Sequence, residues 1–322
     1  MKKILFATTA LVATAGVAAA DVSFGGYARW GVDHVEGRVG DETRIESRFR
    51  LVVTATTESD GGLTFGSQIR YQANEGTSGY SATSVTAMGS GAVVGGHGGF
   101  NSPRFWVSTG GLEISMGHVQ GALEFMPGMY AGSVGLTGLG YANVVYNYAG
   151  DLYTSGGNGR QGVDIKYSAG DFSAHLSHSM KQNGYGFNGT TERTAGWVAY
   201  SFGDYSAALA LQDSNQSGDN EWALTASGTF GPANVTLQVA DNGNMIANSN
   251  TMKYGLAASF DVGAATSVSA YINHDEALNG FTGDENMGVG VVHDLGGGAS
   301  VRGGIADTAG TTRADLGVQF SF

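Results

Sequence analysis

From Asp21 to the C-terminus the chain repeats a hydrophobic period of two. Met252, Tyr254, Leu256, Ala258 and Phe260 alternate with Lys253, Gly255, Ala257, Ser259 and Asp261. Trp222, Leu224, Ala226 and Phe230 alternate with Glu221, Thr225, Ser227 and Thr229, and the chain closes with Ala314, Leu316, Val318, Phe320 and Phe322 against Arg313, Asp315, Gly317, Gln319 and Ser321. Successive side chains of a strand point to opposite faces, so each segment carries one apolar and one polar face. Helical spacings of three and four fit none of them. The pattern predicts strands at 21–34, 44–56, 62–72, 103–109, 111–118, 161–169, 171–180, 192–203, 204–213, 220–230, 232–241, 250–261, 265–274, 285–295, 297–307 and 311–322. That is sixteen. Tight connections such as Gly203-Asp204 and Gly231-Pro232 alternate with long ones such as 181–191 and 242–250.

Strands of about ten residues with two unlike faces suit a tilted crossing of a bilayer. A soluble β-sandwich alternates equally well, so the aromatics have to decide. Phe202, Phe230 and Phe260 each sit at the apolar end of a strand just before a tight turn, Phe24, Phe172 and Tyr205 begin strands at that level, and Phe320 and Phe322 end the last one. Rings at one height on the apolar face form an interfacial girdle; a sandwich would place them centrally. The predicted fold is all-β, a 16-stranded antiparallel transmembrane β-barrel. Counting Asn143 to Tyr148 as a further strand would break the alternation of short and long connections, so 119–160 is one long third external loop. A wide barrel gives it somewhere to go, folded inward across the lumen.

Composition adds a leader and removes several chemistries. Met1-Lys2-Lys3, an apolar run from Ile4 to Val17, and Ala18-Ala19-Ala20 before Asp21 form the three regions of a secretory signal. Residues 1–20 are therefore predicted to be cleaved, leaving 21–322 as the barrel. Loss of two lysines leaves 14 basic residues against 28 acidic ones, a net charge of −14. Such a chain is a poor partner for nucleic acid. The absence of cysteine excludes a disulfide scaffold, a thiol nucleophile and a zinc–cysteine site. Charged residues are only 14% of the chain, and glycine supplies 54 of 322 positions; both are unusual for a cytosolic enzyme.

With the barrel in place, the sequence resembles the general bacterial porins, particularly those of purple bacteria. The resemblance spans the mature chain and is most specific over Arg44–Arg70, over the strand pair Gly162–Ser179, and at the terminal Phe322. It implies an outer-membrane homotrimer in which the third external loop bends into the pore, its acidic residues facing a cluster of wall arginines. It further implies that a C-terminal Phe serves as an assembly signal, and that the second external loop, here 73–102, latches onto a neighbouring subunit. The function implied is a water-filled passive diffusion channel for ions and small hydrophilic solutes, exported to the outer membrane of a Gram-negative bacterium.

Strand parity supplies the candidate site. Ile45, Phe49, Leu51 and Val53 mark one face of the second strand, so Arg44, Arg48 and Arg50 share the other. Arg70 lies opposite Ile69 and Tyr71, and Arg29 opposite Ala28 and Trp30. Arginine on a lipid face costs about 2–4 kcal/mol at the bilayer midplane, so these side chains face water. Arg104 joins them if Phe105 and Val107 face lipid; Arg38 reads as a solvated loop charge. Facing this basic wall (Arg29, Arg44, Arg48, Arg50, Arg70, Arg104), the long loop offers two acids, Glu124 and Asp151. Opposed charges would set up a transverse field across a narrow wet opening. The net charge of −14 and the acidic external loops favour mild cation preference, while the arginines pull the other way.

Rival chemistries find little purchase. His175 and His178 are three apart and fall on opposite faces of a strand, so they cannot chelate one metal. Gly157, Gly159 and Gly162 match a dinucleotide pattern by letters, yet precede a strand and not a helix. Asp275, Glu276, Asp284 and Glu285 share one predicted loop and form an oxygen cluster of the kind that holds calcium, although solvation alone accounts for them. Passive transport requires no cofactor. A barrel enzyme of lipase or protease type would need a nucleophile–base pair on the rim, and a secreted sandwich or adhesin would have no pore.

Overall fold

The computed structural model describes residues 20–75, 97–146, 150–155, 159–184, 187–189, 191–215, 219–243, 252–278 and 284–322. The predicted leader, apart from Ala20, and most of the predicted 73–102 loop lie outside the described residues. Nineteen strands run in order: β1 (Asp21–Val35), β2 (Thr43–Glu58), β3 (Thr64–Glu75), β4 (His97–Phe100), β5 (Arg104–Thr109), β6 (Leu112–His118), β7 (Gln161–Ala169), β8 (Phe172–Ser179), β9 (Gln182–Gly184), β10 (Phe187–Gly189), β11 (Arg193–Phe202), β12 (Tyr205–Ser214), β13 (Glu221–Phe230), β14 (Ala233–Asp241), β15 (Met252–Asp261), β16 (Thr266–Asp275), β17 (Glu285–Gly296), β18 (Ala299–Thr308) and β19 (Thr311–Ser321). β9 and β10 pair only with each other, inside the connection expected to be a plain loop. β4 and β5 both pair with β3 and form one interrupted wall strand. The wall therefore has sixteen members, all antiparallel, and closes where β1 pairs with β19 from Tyr27↔Ser321 to Val35↔Arg313.

The interruption has a chemical cause. Pro103 has no N–H to give to the ladder, and across the gap the Arg70 amide donates to Asn101 Oδ1 while the Asn101 amide donates to the Arg70 carbonyl. The fourth wall strand consequently starts at His97, earlier than the expected 103. At the closure, the Gly26 amide donates to the Phe322 carbonyl and the Phe322 amide to the Gly26 carbonyl, at 2.9 and 3.1 Å. The last residue is thus zipped to the first strand, its ring stacked on Phe49 at 5.5 Å.

Side-chain placement is inverted relative to a soluble protein. Leu224, Leu237, Leu256, Ile272, Val289, Ile305 and Leu316 are exposed on the outer face, between 43% and 57%. Removing a Leu or Ile side chain from water is worth about 1.5–3 kcal/mol, and here only surrounding hydrocarbon can supply that. Rings run along the short-turn side, with Phe202–Tyr205 and Tyr205–Phe230 centroids 5.7 and 5.8 Å apart. The turns between these strands are tight enough to need glycine: Gly203 sits at φ +62°, where an L side chain is strained. The apolar core lies inside the barrel, where Leu123, Met126, Met129, Val144, Val145 and Tyr146 of the long loop pack on inward alanines of β11–β14.

Candidate pore constriction

The segment after β6 lies against inward-facing side chains around most of the wall. Near its start the Ala122 amide donates to Ser177 Oγ at 2.8 Å. Thr225 Oγ1 then donates to the Pro127 carbonyl at 2.7 Å, and Gln238 Nε2 to the carbonyls of Gly128 and Met129 at 2.6 and 2.9 Å. Further along, Asn273 and Asn242 donate to the carbonyls of Ala142 and Val145. The tip is held most densely. Asp315 of β19 accepts from the Leu136 amide at 2.8 Å and from the Thr137 amide and hydroxyl at 2.7 Å each, while Arg29 Nη1 donates to the Leu136 carbonyl at 2.9 Å.

Small wall residues make that seating possible. A Cβ on Gly31 or Gly317 would stand 2.9 or 2.6 Å from Leu136 Cδ2, and one on Gly290 or Gly304 would stand 2.8 or 2.9 Å from the Gly135 nitrogen. Such separations are below van der Waals contact. Part of the glycine excess is therefore a bed for the loop. The clue lay in the alternation itself, because five of the fifteen inward positions on β11–β13 are alanine rather than polar. Residues 143–146 form no strand, in keeping with leaving 143–148 out of the strand count; 147–148 lie outside the described residues.

Pairing register sets the arginines side by side. Tyr27 pairs with Arg50 and Arg50 with Gln72; one step along, Arg29 pairs with Arg48 and Arg48 with Asn74. Arg48 Nε donates to Asn74 Oδ1 at 2.7 Å and its Nη1 to the Tyr27 hydroxyl at 3.2 Å. Arg50 Nε donates to Gln72 Oε1 at 2.7 Å, and its guanidinium lies 5.0 Å from the Tyr27 ring centroid. Arg70 stacks 4.2 Å from the Tyr153 ring of the loop and reaches the Tyr153 carbonyl and Ser155 Oγ at 3.5 Å.

The other three arginines of the expected wall have different employment. Arg29 is buried and holds Glu46 Oε1 at 2.5 and 2.9 Å. Arg44 donates to the carbonyls of Asp41 and Val39 in the outer loop. Phe105 is exposed on the outer face, so Arg104 does point inward. It is neutralised there by Glu113 at 2.5 Å and Asp164 at 3.6 Å. Arg38 pairs with Asp33 and, with Arg48, Tyr141 and Arg313, lines a cavity of about 340 Å³ beside the loop tip.

The two acids diverge as well. Glu124 accepts the Tyr153 amide at 2.6 Å; burial pushes its carboxyl up to about 7, against the downward pull of that amide and of Arg70 and Arg50. Asp151 is buried and paired with Arg193 at 2.9 Å and Arg160 at 4.0 Å, and not with Arg48, Arg50 or Arg70. Sequence parity alone missed Asp315, although it stands at an inward position of β19. His175 is buried beside Asp164 at 3.5 Å, while His178 meets Thr194. Of the proposed calcium ligands, Asp275 pairs with Lys253 at 3.4 Å and Asp284 with His274 at 3.8 Å. Among the described residues no group of three or more acidic or histidine side chains is arranged to hold a metal ion.

A closed sixteen-membered barrel with an apolar outer face, a polar inner face and a segment strapped across its interior defines a transmembrane β-barrel of the channel class. Comparison with known proteins places the chain within that class. Residues 7–313 match the family model described as Gram-negative porin, and the chain belongs to that family. It is 28% identical to a porin of Fuscovulum blasticum and 29% identical to a porin of Rhodobacter capsulatus, each match covering 94% of this chain and all of the relative. Among solved structures, a triple mutant of the Rhodopseudomonas blastica porin superposes with a TM-score of 0.75 at 26% identity, over 94% of this chain and all of that one. The protein is an outer-membrane porin channel, and both of these relatives are named porins.

Proposed function

We propose that this porin is a passive diffusion channel for ions and small hydrophilic solutes, narrowest where Arg48, Arg50 and Arg70 face the loop 119–155. The observation that carries this reading is the strapping of that loop to inward residues from β8 round to β19 and β1, the last of which borders the arginine-bearing β2. A segment so placed excludes lumen cross-section, and fixed charges beside it act on solutes that have shed part of their bulk water. Among the described residues of the loop, Glu124 supplies the acidic side of the opening. The mature chain begins at Asp21 after removal of the leader and assembles as a homotrimer, as its family membership supports.

Planar-bilayer recording of the purified full-length protein tests the channel. The expected result is discrete, long-lived conductance steps that scale with bulk KCl conductivity, as a water-filled lumen requires. Absence of conductance from correctly folded protein would overturn the reading and favour a barrel enzyme.

A further inference from the structure

Cations on the inner wall fall into carboxylate-paired and unpaired sets, the second including Arg302 on Ser300 and Arg313 on Thr308. Arg29, Arg104, Arg193 and Lys253 each stand within 3.6 Å of a carboxylate. Arg48, Arg50 and Arg70 do not: among the described residues, their hydrogen-bond partners are Asn74, Tyr27, Gln72, the Tyr153 carbonyl and Ser155, all neutral. Three guanidiniums on two adjacent strands are therefore gathered with no carboxylate in hydrogen-bond contact, which leaves their positive charge open to a mobile anion.

Their donors are also oriented. The Nε–H groups of Arg48 and Arg50 are held by side-chain carbonyls, and Tyr27 and Tyr153 lie against the planes of Arg50 and Arg70. What is left over is donor capacity. Both terminal nitrogens of Arg50 and Nη2 of Arg48 have no acceptor among the described residues, and Arg70 Nε is buried without a partner. Forked N–H donors fixed in this way match the two-oxygen edge of a carboxylate or phosphate.

The facing loop does not balance them. Residues 130–146 contain no Asp or Glu. Asp151 is spent on Arg193, and Glu124 leaves one carboxyl against three guanidiniums. The net charge of −14 that favoured cations resides largely elsewhere, and at physiological salt charges beyond about 8 Å are mostly screened.

We infer that this constriction is an anion site, admitting and transiently holding small oxyanions, carboxylates and inorganic phosphate, on Arg48, Arg50 and Arg70. It rests on the channel reading above and adds to it the sign of selectivity, which is opposite to the mild cation preference expected from net charge.

The test is the reversal potential of the full-length protein in a KCl gradient, followed by addition of inorganic phosphate or acetate to one side. Chloride should permeate about threefold more readily than potassium, as fixed positive charge at a narrow point dictates. The combined Arg48→Gln, Arg50→Gln and Arg70→Gln variant should bring the ratio below one, and Arg50→Gln alone should move it part of the way. Arg44→Gln, which removes equal charge at the outer loop, should leave it in place. Phosphate should reduce chloride current in a saturable manner in the parent and not in the triple variant; acetate acting alike would extend the site to carboxylates, and phosphate acting alone would confine it to phosphate. Open channels with a parent ratio at or below one, or a ratio unmoved by the substitutions, would overturn the anion site while leaving the channel intact. Absence of conductance would instead overturn the channel reading.

Discussion

Asp315→Ala should roughly double single-channel conductance. The Asp315 carboxylate takes two backbone amides and one hydroxyl from Leu136 and Thr137, all within 2.8 Å. Hydrogen bonds to a charged group are worth about 1.5–3 kcal/mol each, so losing three, with water replacing some of them, weakens the tip's attachment by on the order of 3–5 kcal/mol. Arg29 Nη1 on the Leu136 carbonyl remains as a single tether. A tip freed from β19 widens the opening and adds current noise as the segment moves. Asp315→Asn keeps one acceptor oxygen and should fall between parent and alanine variant. Unchanged conductance and noise in Asp315→Ala would show that the more distant straps at Gln238, Asn242 and Asn273 suffice to hold the loop.

Leu256→Arg should destabilise the barrel in lipid by about 2–4 kcal/mol, the cost of an arginine at the midplane of a lipid face. Leu256 lies mid-strand on β15, paired with Leu237 and Ile272, and is exposed on the outer surface. Val262, also exposed, follows β15 at the short-turn end. Val262→Arg should cost only about 0–1 kcal/mol, because the penalty falls towards the interface. Denaturant titration of the protein refolded into phospholipid vesicles measures both. Equal costs at the two positions would mean that depth in a membrane does not set the energetics of this face.

The wall was legible in the sequence because a period of two is a local property. Each apolar residue of the Met252–Phe260 set lands outward, and each turn with Gly203 or Gly231 lands at the same end. The break at Pro103 was legible in principle, since that residue lacks a donor, yet the short β4 before it has too few residues to show alternation. The constriction was legible only in part. Parity fixes which face a side chain takes, but not its height, which depends on the stagger between strands. Arg44, Arg48 and Arg50 share a face; stagger puts Arg44 at the outer loop and Arg48 and Arg50 beside Tyr27. Arg104 is inward too, but meets Glu113 and Asp164 through pairings that only closure of β5, β6 and β7 creates. Asp151 is drawn to Arg193 for the same reason.

The loop's seat was hidden differently. Its anchors are single polar residues such as Gln238 and Asp315, each unremarked in its own strand. Its bed consists of glycines and alanines that read as weak strand residues until the loop fills the space above them. A polar inner face and a loop-bearing inner face give the same period, and they differ only in side-chain volume.

A membrane channel requires outer side chains to touch hydrocarbon while their neighbours on the same strands face the interior. Nitroxide labels at Leu224, Leu237 and Leu256, read by collision with oxygen and with a water-soluble paramagnetic chelate in reconstituted vesicles, address this directly. High oxygen and low chelate accessibility at all three is the predicted outcome; labels that are shielded from both reagents, or open to the chelate, would contradict it.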